Sequence, residues 1–288
     1  MKTRYWAYSL LALFVTMGLY GCSSATEGDE AIFPPSKGGG EAEARKPIEA
    51  KEFGTITGTV TFEGDPPPRN DLGQIVGHGD QSHCTKGDTK DQTWIVDSSS
   101  KGVANIVVWV EPPNGMYFPK PEKKIWEDEV VLDQPFCQFV PHVVVLYPQA
   151  YDPASKALVA TGQKLVVKNS APILHNFRFQ GRDNPSRGGN VQPGTQQVYE
   201  LRKDRQEISF NCDVHKWMTG YAMTFDHPYA AVTDKDGKFT IKNVPAGSQL
   251  TFMAWHEAKR KFVPVVAGGN AITLNAGETK TLDFKISK

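Results

Sequence analysis

Cys212, His215 and Met218 crowd together in the stretch from Ile208 to Phe225, ISFNCDVHKWMTGYAMTF, with the spacing C-x2-H-x2-M. A thiolate, an imidazole and a thioether on one tight loop suit a copper ion cycling between Cu(I) and Cu(II), because sulfur favours the softer state and imidazole tolerates both. Type 1 copper sites use one Cys, two His and a weak axial Met, so a second histidine must arrive from another part of the chain. The segment Leu165 to Phe179, LVVKNSAPILHNFRF, offers His175. The flanks are strand-like. Ile208 and Phe210 alternate with Ser209 and Asn211, and Tyr221, Met223 and Phe225 alternate with smaller residues, so two strands joined by a short turn carry the sulfur-bearing loop. His175 follows an apolar run, Leu165 to Val167, that breaks at Asn169, Ser170 and Pro172 and resumes through Phe177 and Phe179.

Three other readings of these residues compete. A Cys on a strand commonly behaves as a small buried apolar residue, and a Met just past a His commonly packs a core. A structural zinc site asks for four closed Cys or His ligands, and a Met is a poor fourth. A binuclear copper centre needs a second cysteine in the loop, which this loop lacks.

The two segments resemble the ligand segments of the cupredoxins, in particular the amicyanin and plastocyanin types. Asn169 precedes the His175-Asn176 pair with Pro172 between them, and a Cys-x-x-His loop ending in Met follows later. The C-x2-H-x2-M spacing is similar to the short amicyanin form. The resemblance implies one type 1 copper with His175, Cys212 and His215 as equatorial ligands and Met218 as the axial one. It also implies that Asn176 braces the ligand loop near the cysteine sulfur.

The opening MKTRYWAYSLLALFVTMGLYGC has a basic start (Lys2, Arg4), an apolar stretch to about Tyr20, and Gly21 before Cys22. It reads as a secretory signal over residues 1–21, too short and too soon interrupted for a membrane span. Leu19-Tyr20-Gly21-Cys22 resembles the lipobox of bacterial lipoproteins, with Tyr20 bulkier than usual at its position. The resemblance implies a lipid on Cys22 and a membrane anchor; ordinary secretion with a spare cysteine is the other reading. Loss of residues 1–21 would remove Lys2 and Arg4, leaving 30 of the 32 basic residues against 32 acidic ones. A near-neutral chain lacks the basic surface that nucleic-acid binding requires.

With Cys22 lipidated, Cys84, Cys137 and Cys212 remain, and an odd count in an exported protein leaves at least one unpaired. A copper ligand needs a free thiolate. The cupredoxin reading therefore implies a Cys84–Cys137 disulfide and a free Cys212. A second metal site is the rival, since His83 adjoins Cys84 and His142 follows Cys137.

Residues 22–53 are rich in Gly, Ser, Pro and charge without an apolar period and read as a disordered tether. From Gly54, GTITGTVTFEG alternates as a strand, VANIVVWVEPP is another, and Trp94 to Val96 reads as a short third. No stretch after the signal has a useful helical period, so the expected class is all-β. The segment TDKDGKFTIKNVPAG, with Asp236-Gly237 as a tight-turn signal, resembles the carboxypeptidase regulatory-like domain, a transthyretin-like β-sandwich. Gly58 to Pro66 and Val103 to Val110 match the beginning of the same family. Asp234-x-Asp236-Gly237 lacks the later acids of a calcium loop and reads as turn chemistry.

The expected organisation is one split sandwich, residues 54–112 and 227–288, with a Greek-key cupredoxin sandwich over 113–226 inserted between its halves. A tandem order is the alternative. Strands are expected near Val130 to Leu132, Phe139 to Leu146, Ala157 to Ala160, Leu165 to Val167, Phe177 to Phe179, Gln196 to Leu201, Ile208 to Asn211 and Tyr221 to Phe225.

The sequence carries no G-x-S-x-G and no H-E-x-x-H, and His256-Glu257 stands on a strand pattern without a further ligand. The expectation is a carrier rather than an enzyme: an exported, lipid-anchored, periplasmic or cell-surface copper protein moving single electrons. His215 is expected at the surface end of the site. Trp217, Pro172 and Leu174 are expected to form an apolar patch for a transient redox protein partner. A copper-holding or copper-delivery protein and a non-redox surface binding module are the alternatives.

Overall fold

The computed structural model describes residues 45–288. The expected signal, the expected lipid site at Cys22 and the part of the expected tether up to residue 44 lie outside the described residues. Order begins ahead of Gly54, because Lys46–Pro47 pairs in parallel with Met116–Tyr117 and Ile48 enters the nearby core. The described chain is all-β, with one 3-10 turn, Gly73–Ile75, and one helical turn, Gln81–Cys84.

Four sheets carry the fold. Phe53–Phe62 lies between Lys238–Pro245 and the C-terminal strands Thr279–Thr281 and Phe284–Ile286. Opposite it, Val107–Glu111 sits between Ala230–Val232 and Leu250–His256. Their facing residues, among them Ile56, Val60, Val108, Val110, Phe239 and Phe252, form one core. A third sheet runs in the order Arg187–Val191, His175–Gln180, Ile208–Asn211, Thr219–Thr224, Val143–Leu146, with the last pair parallel. A fourth, Gln196–Tyr199, Lys164–Lys168 and Glu129–Asp133, covers it across a second core of Leu132, Leu165, Val167, Phe177, Ile208 and Phe210.

Side chains alternate across a strand, and here two of the sheets use both faces. On Leu250–His256, Phe252 and Ala254 enter the first core, whereas Met253 and Trp255 point the other way. On Val143–Leu146, Val144 and Leu146 enter the second core, whereas Val143 faces outward. Val107, Trp109, Met253 and Trp255 meet Val143, Met223 and Phe225 in a third apolar layer that joins the two sandwiches. Sheets buried on both faces lose the clean apolar-polar alternation, which is why these strands read as continuous apolar runs.

Several expected elements shift. The run expected from Phe139 starts as a strand only at Val143, after the cis Val140–Pro141 bond. Trp94 to Val96 contributes a single bridge, Val96 to Val103, and Trp94 packs instead on His256. The strand Arg187–Val191 was not expected, since RGGNV has no apolar period. It forms by pairing with His175–Gln180, at a place where a side chain on Gly188 would collide with the Phe177 carbonyl. The Asp234 to Lys238 turn follows the expected chemistry: Asp234 Oδ1 accepts from the backbone N–H of Asp236 and of Lys238, both at 2.9 Å, and Gly237 has φ of +77°.

Candidate metal centre

The pairing of His175–Gln180 with Ile208–Asn211 puts Phe179 opposite Phe210 and Arg178 opposite Asn211. That register brings the start of one strand and the end of the other to the same edge of the sheet. His175 opens the first strand, and Cys212 follows the last residue of the second. The loop from Cys212 returns into Thr219–Thr224 and is closed by the Met218 N–H donating to the His215 carbonyl at 2.9 Å. The strand pair therefore brings His175 to the loop that carries Cys212, His215 and Met218.

Two imidazoles and a thiol converge there. His175 Nδ1 lies 3.0 Å from His215 Nδ1, and Cys212 Sγ lies 3.9 Å from His215 Nδ1. His175, Cys212, His215 and Met218 are all buried, with 0, 2, 0 and 2% of their surface exposed. The sulfur accepts backbone N–H groups from His215 and Asn176, each at 3.4 Å. Asn176 Oδ1 also accepts the Asp213 N–H at 3.4 Å, so this residue ties the histidine strand to the cysteine loop. The loop ahead of His175 is held by buried Asn169, whose amide donates to the carbonyls of Ile173 and Val191 at 2.8 Å each. Ser170 donates from its hydroxyl to Asp133 at 2.8 Å.

The electrostatics favour neutral ligands. Burial, with the neighbouring His215 adding to it, pushes the His175 pKa down to about 4. Burial also lowers that of His215, opposed by its contact with Asp80. The Cys212 thiol is pushed up by burial, against the pull of the N–H groups it accepts. Neutral imidazoles are what a metal ion requires, and a buried thiol loses its proton when the metal takes its place. His175 Nε2 is buried without a hydrogen-bond partner among the described residues. The donor set of two imidazole nitrogens and one free thiol, with a thioether residue on the same loop, fits a copper ion.

Cys84 and Cys137 are joined in a disulfide, and Cys212 is the free cysteine among the described residues. The bonded sulfurs are not thiolate ligands, so the rival second site at Cys84 and Cys137 lacks its donors. His83 instead donates to the Pro135 carbonyl at 2.9 Å, and His142 pairs with Glu257 at 2.8 Å. His256 Nε2 meets the Thr93 carbonyl at 2.9 Å, a packing role.

The sequence reading placed His215 at the surface end of the site, and the structure corrects this. Its ring has no exposed surface, because residues 72 to 87 fold across its outer edge. Asp80 Oδ2 lies 3.0 Å from His215 Nε2, and the rings of His78 and Trp217 lie 4.9 and 5.2 Å from the imidazole. Ile75 and Cys84 anchor this cover in the core beneath. Trp217 is half-buried against His78 and His215, whereas Pro172 and Leu174, on the loop ahead of His175, are exposed. Sequence reasoning missed His78 and Asp80. The available signal was the pair of titratable residues in H-G-D just ahead of Cys84, a cysteine expected to be tied to the insert.

No family model matches this chain, and no curated protein matches it. Solved structures that match part of the chain include a reduced amicyanin carrying one Trp-to-Tyr substitution, at 12% identity over 40% of this chain and 98% of its own, with a TM-score of 0.27. The amicyanin from Paracoccus versutus is similar at 12% identity over 40% of this chain and 97% of its own, with a TM-score of 0.26. The purple cupredoxin from Nitrosopumilus maritimus is similar at 9% identity over 33% of this chain and 98% of its own, with a TM-score of 0.24.

Proposed function

We propose that this protein carries single electrons outside the cytoplasm by means of one copper ion held by His175, Cys212, His215 and Met218. The observation that supports this most is the meeting of two imidazole Nδ1 atoms and one free thiol in a buried pocket. Copper bound there would supply a one-electron couple, with the thiolate favouring Cu(I) and the imidazoles accepting both states. The chain's own part is to hold the donors still. Backbone N–H groups on the sulfur, Asn176 across the two strands and Asn169 behind the loop would hold the donors in place through a change of oxidation state.

The partner in this proposal is a redox protein that docks transiently. Pro172 and Leu174 offer exposed apolar surface, and half-buried Trp217 meets the covered imidazole edge-on. Export and lipid attachment at Cys22 remain part of the proposal and rest on the sequence of residues 1–22. So does the inserted order: Val107–Glu111 pairs with strands after residue 229, which is what a sandwich interrupted by the copper-binding one would do.

Titration of the protein with Cu(II) tests this reading. One equivalent should give an intense visible absorption from sulfur-to-copper charge transfer, absent in Cys212→Ser; a colourless protein that binds no copper would remove the proposal. A second reading, copper holding or delivery, is favoured by the complete burial of His215 under residues 78 and 80. Voltammetry separates the two. An electron carrier shows a reversible couple and slow loss of metal to a chelator, and a holding protein shows no reversible couple and rapid exchange.

A further inference from the structure

His215 has two ring nitrogens with different neighbours. Nδ1 faces inward, 3.0 Å from His175 Nδ1 and 3.9 Å from Cys212 Sγ, while Nε2 faces outward, 3.0 Å from Asp80 Oδ2. An ionised carboxylate can only accept a hydrogen bond, so Nε2 must be the nitrogen that donates. A neutral imidazole carries one proton, which leaves the inward Nδ1 with a free lone pair. With His215 Nδ1 as acceptor, His175 Nδ1 is the donor across their contact.

The carboxylate sits on a stiff support. The Asp80 N–H donates to His78 Nδ1 at 3.2 Å, and the Asp80 carbonyl accepts from His83 and Cys84 at 2.9 and 3.0 Å. Gln81 accepts the Gly77 N–H at 2.7 Å, Ile75 is buried, and Cys84 is bonded to Cys137. His78 already uses its Nδ1 lone pair on the Asp80 N–H, so the contact between Asp80 and His215 is a hydrogen bond to an imidazole rather than one edge of a three-ligand site.

We infer that Asp80 is a positioning residue for the copper site: it holds the His215 ring as the Nε2–H form, with Nδ1 aimed at the metal, through a contact that bridges 135 positions of sequence. This inference rests on the reading of His215 as a ligand. Outer hydrogen bonds of this kind fix the ring and raise its basicity, and their loss typically costs about 10- to 100-fold in metal affinity.

The test uses histidine-labelled, metal-free protein, in which long-range proton–nitrogen correlation spectra identify the protonated nitrogen of His215. The expected wild-type result is a single Nε2–H form. Asp80→Ala should mix the two forms and weaken copper binding about 10- to 100-fold. Asp80→Asn keeps an acceptor oxygen in place and should restore the single form and most of the affinity. A proton on Nδ1 in the wild type, or an unchanged spectrum in Asp80→Ala, would overturn the inference. The wild-type spectrum decides the matter even if a variant fails to fold. If the protein binds no copper while Asp80 still fixes the ring, the metal reading falls and the inference about the ring stands.

Discussion

Removing the Cys84–Cys137 bond is the perturbation that couples the cover over the site to the stability of the whole chain. The bond closes a loop with a sequence separation of 53 residues, which includes Val107–Glu111 of one sandwich and Glu129–Asp133 of the other. In the chain-entropy model, opening a loop of that length returns about 14 cal/mol/K to the unfolded chain, or about 4 kcal/mol at room temperature. Cys84→Ala with Cys137→Ala should therefore lower the unfolding free energy by about 4 kcal/mol, measured from guanidinium transitions by linear extrapolation. The same variant frees the segment that carries Asp80, so amide exchange over residues 72 to 87 should speed up while that of Ile208–Asn211 changes in step with global stability. A double variant within about 1 kcal/mol of the wild type, with unchanged exchange in the cover, would refute the reasoning, since it would mean that core contacts of Ile75 and the hydrogen bond of His83 hold the segment alone.

Other perturbations probe the remaining parts of the molecule. His227 is buried with Asp226, Lys203 and Glu111 as its charged neighbours, and burial pushes its pKa down to about 4. Its folded pKa lies below the unfolded value near 6.5, so the neutral ring's contribution is fully present above that value and is lost as pH falls toward 4. At pH 5 the cost is about 2 kcal/mol relative to pH 8, and His227→Asn should show a correspondingly shallower acid loss in denaturant midpoints; an unchanged slope would contradict the burial argument. His256, also pushed down to about 4 by burial, should add a similar loss over the same window, read as a further flattening in a variant lacking both histidines. Trp255, fully buried in the layer between the sandwiches with its Nε1–H donating to Glu207 at 3.3 Å, should cost about 3–5 kcal/mol when truncated to Ala, checked by thermal and chemical unfolding.

What the sequence made legible was whatever chemistry and period two leave on neighbouring residues. Cys212, His215 and Met218 lie on one loop, and His175 stands where an apolar run resumes after a turn, so the residues that meet at the candidate site could be picked out without coordinates. The Asp236-Gly237 turn was equally readable, because positive φ and side-chain acceptance are local demands. The cover was not. Residues 65 to 93 have no period; His83 is held by the Pro135 carbonyl, Cys84 by Cys137 and Ile75 by the second core, all beyond the reach of local pattern. The exposure of His215 was misjudged for the same reason, since nothing near it in sequence announces Asp80. The layer through Trp109, Val143 and Trp255 was hidden differently: with both faces of the strand buried, apolar residues simply follow one another.

X-ray absorption of the copper-loaded protein tests the central claim most directly, because it identifies the atoms bound to the metal. Two imidazole nitrogens and one short sulfur contact are expected, with the sulfur lost in Cys212→Ser and one imidazole lost in His175→Ala. A copper ion ringed by oxygen and nitrogen alone, unchanged by either substitution, would contradict it.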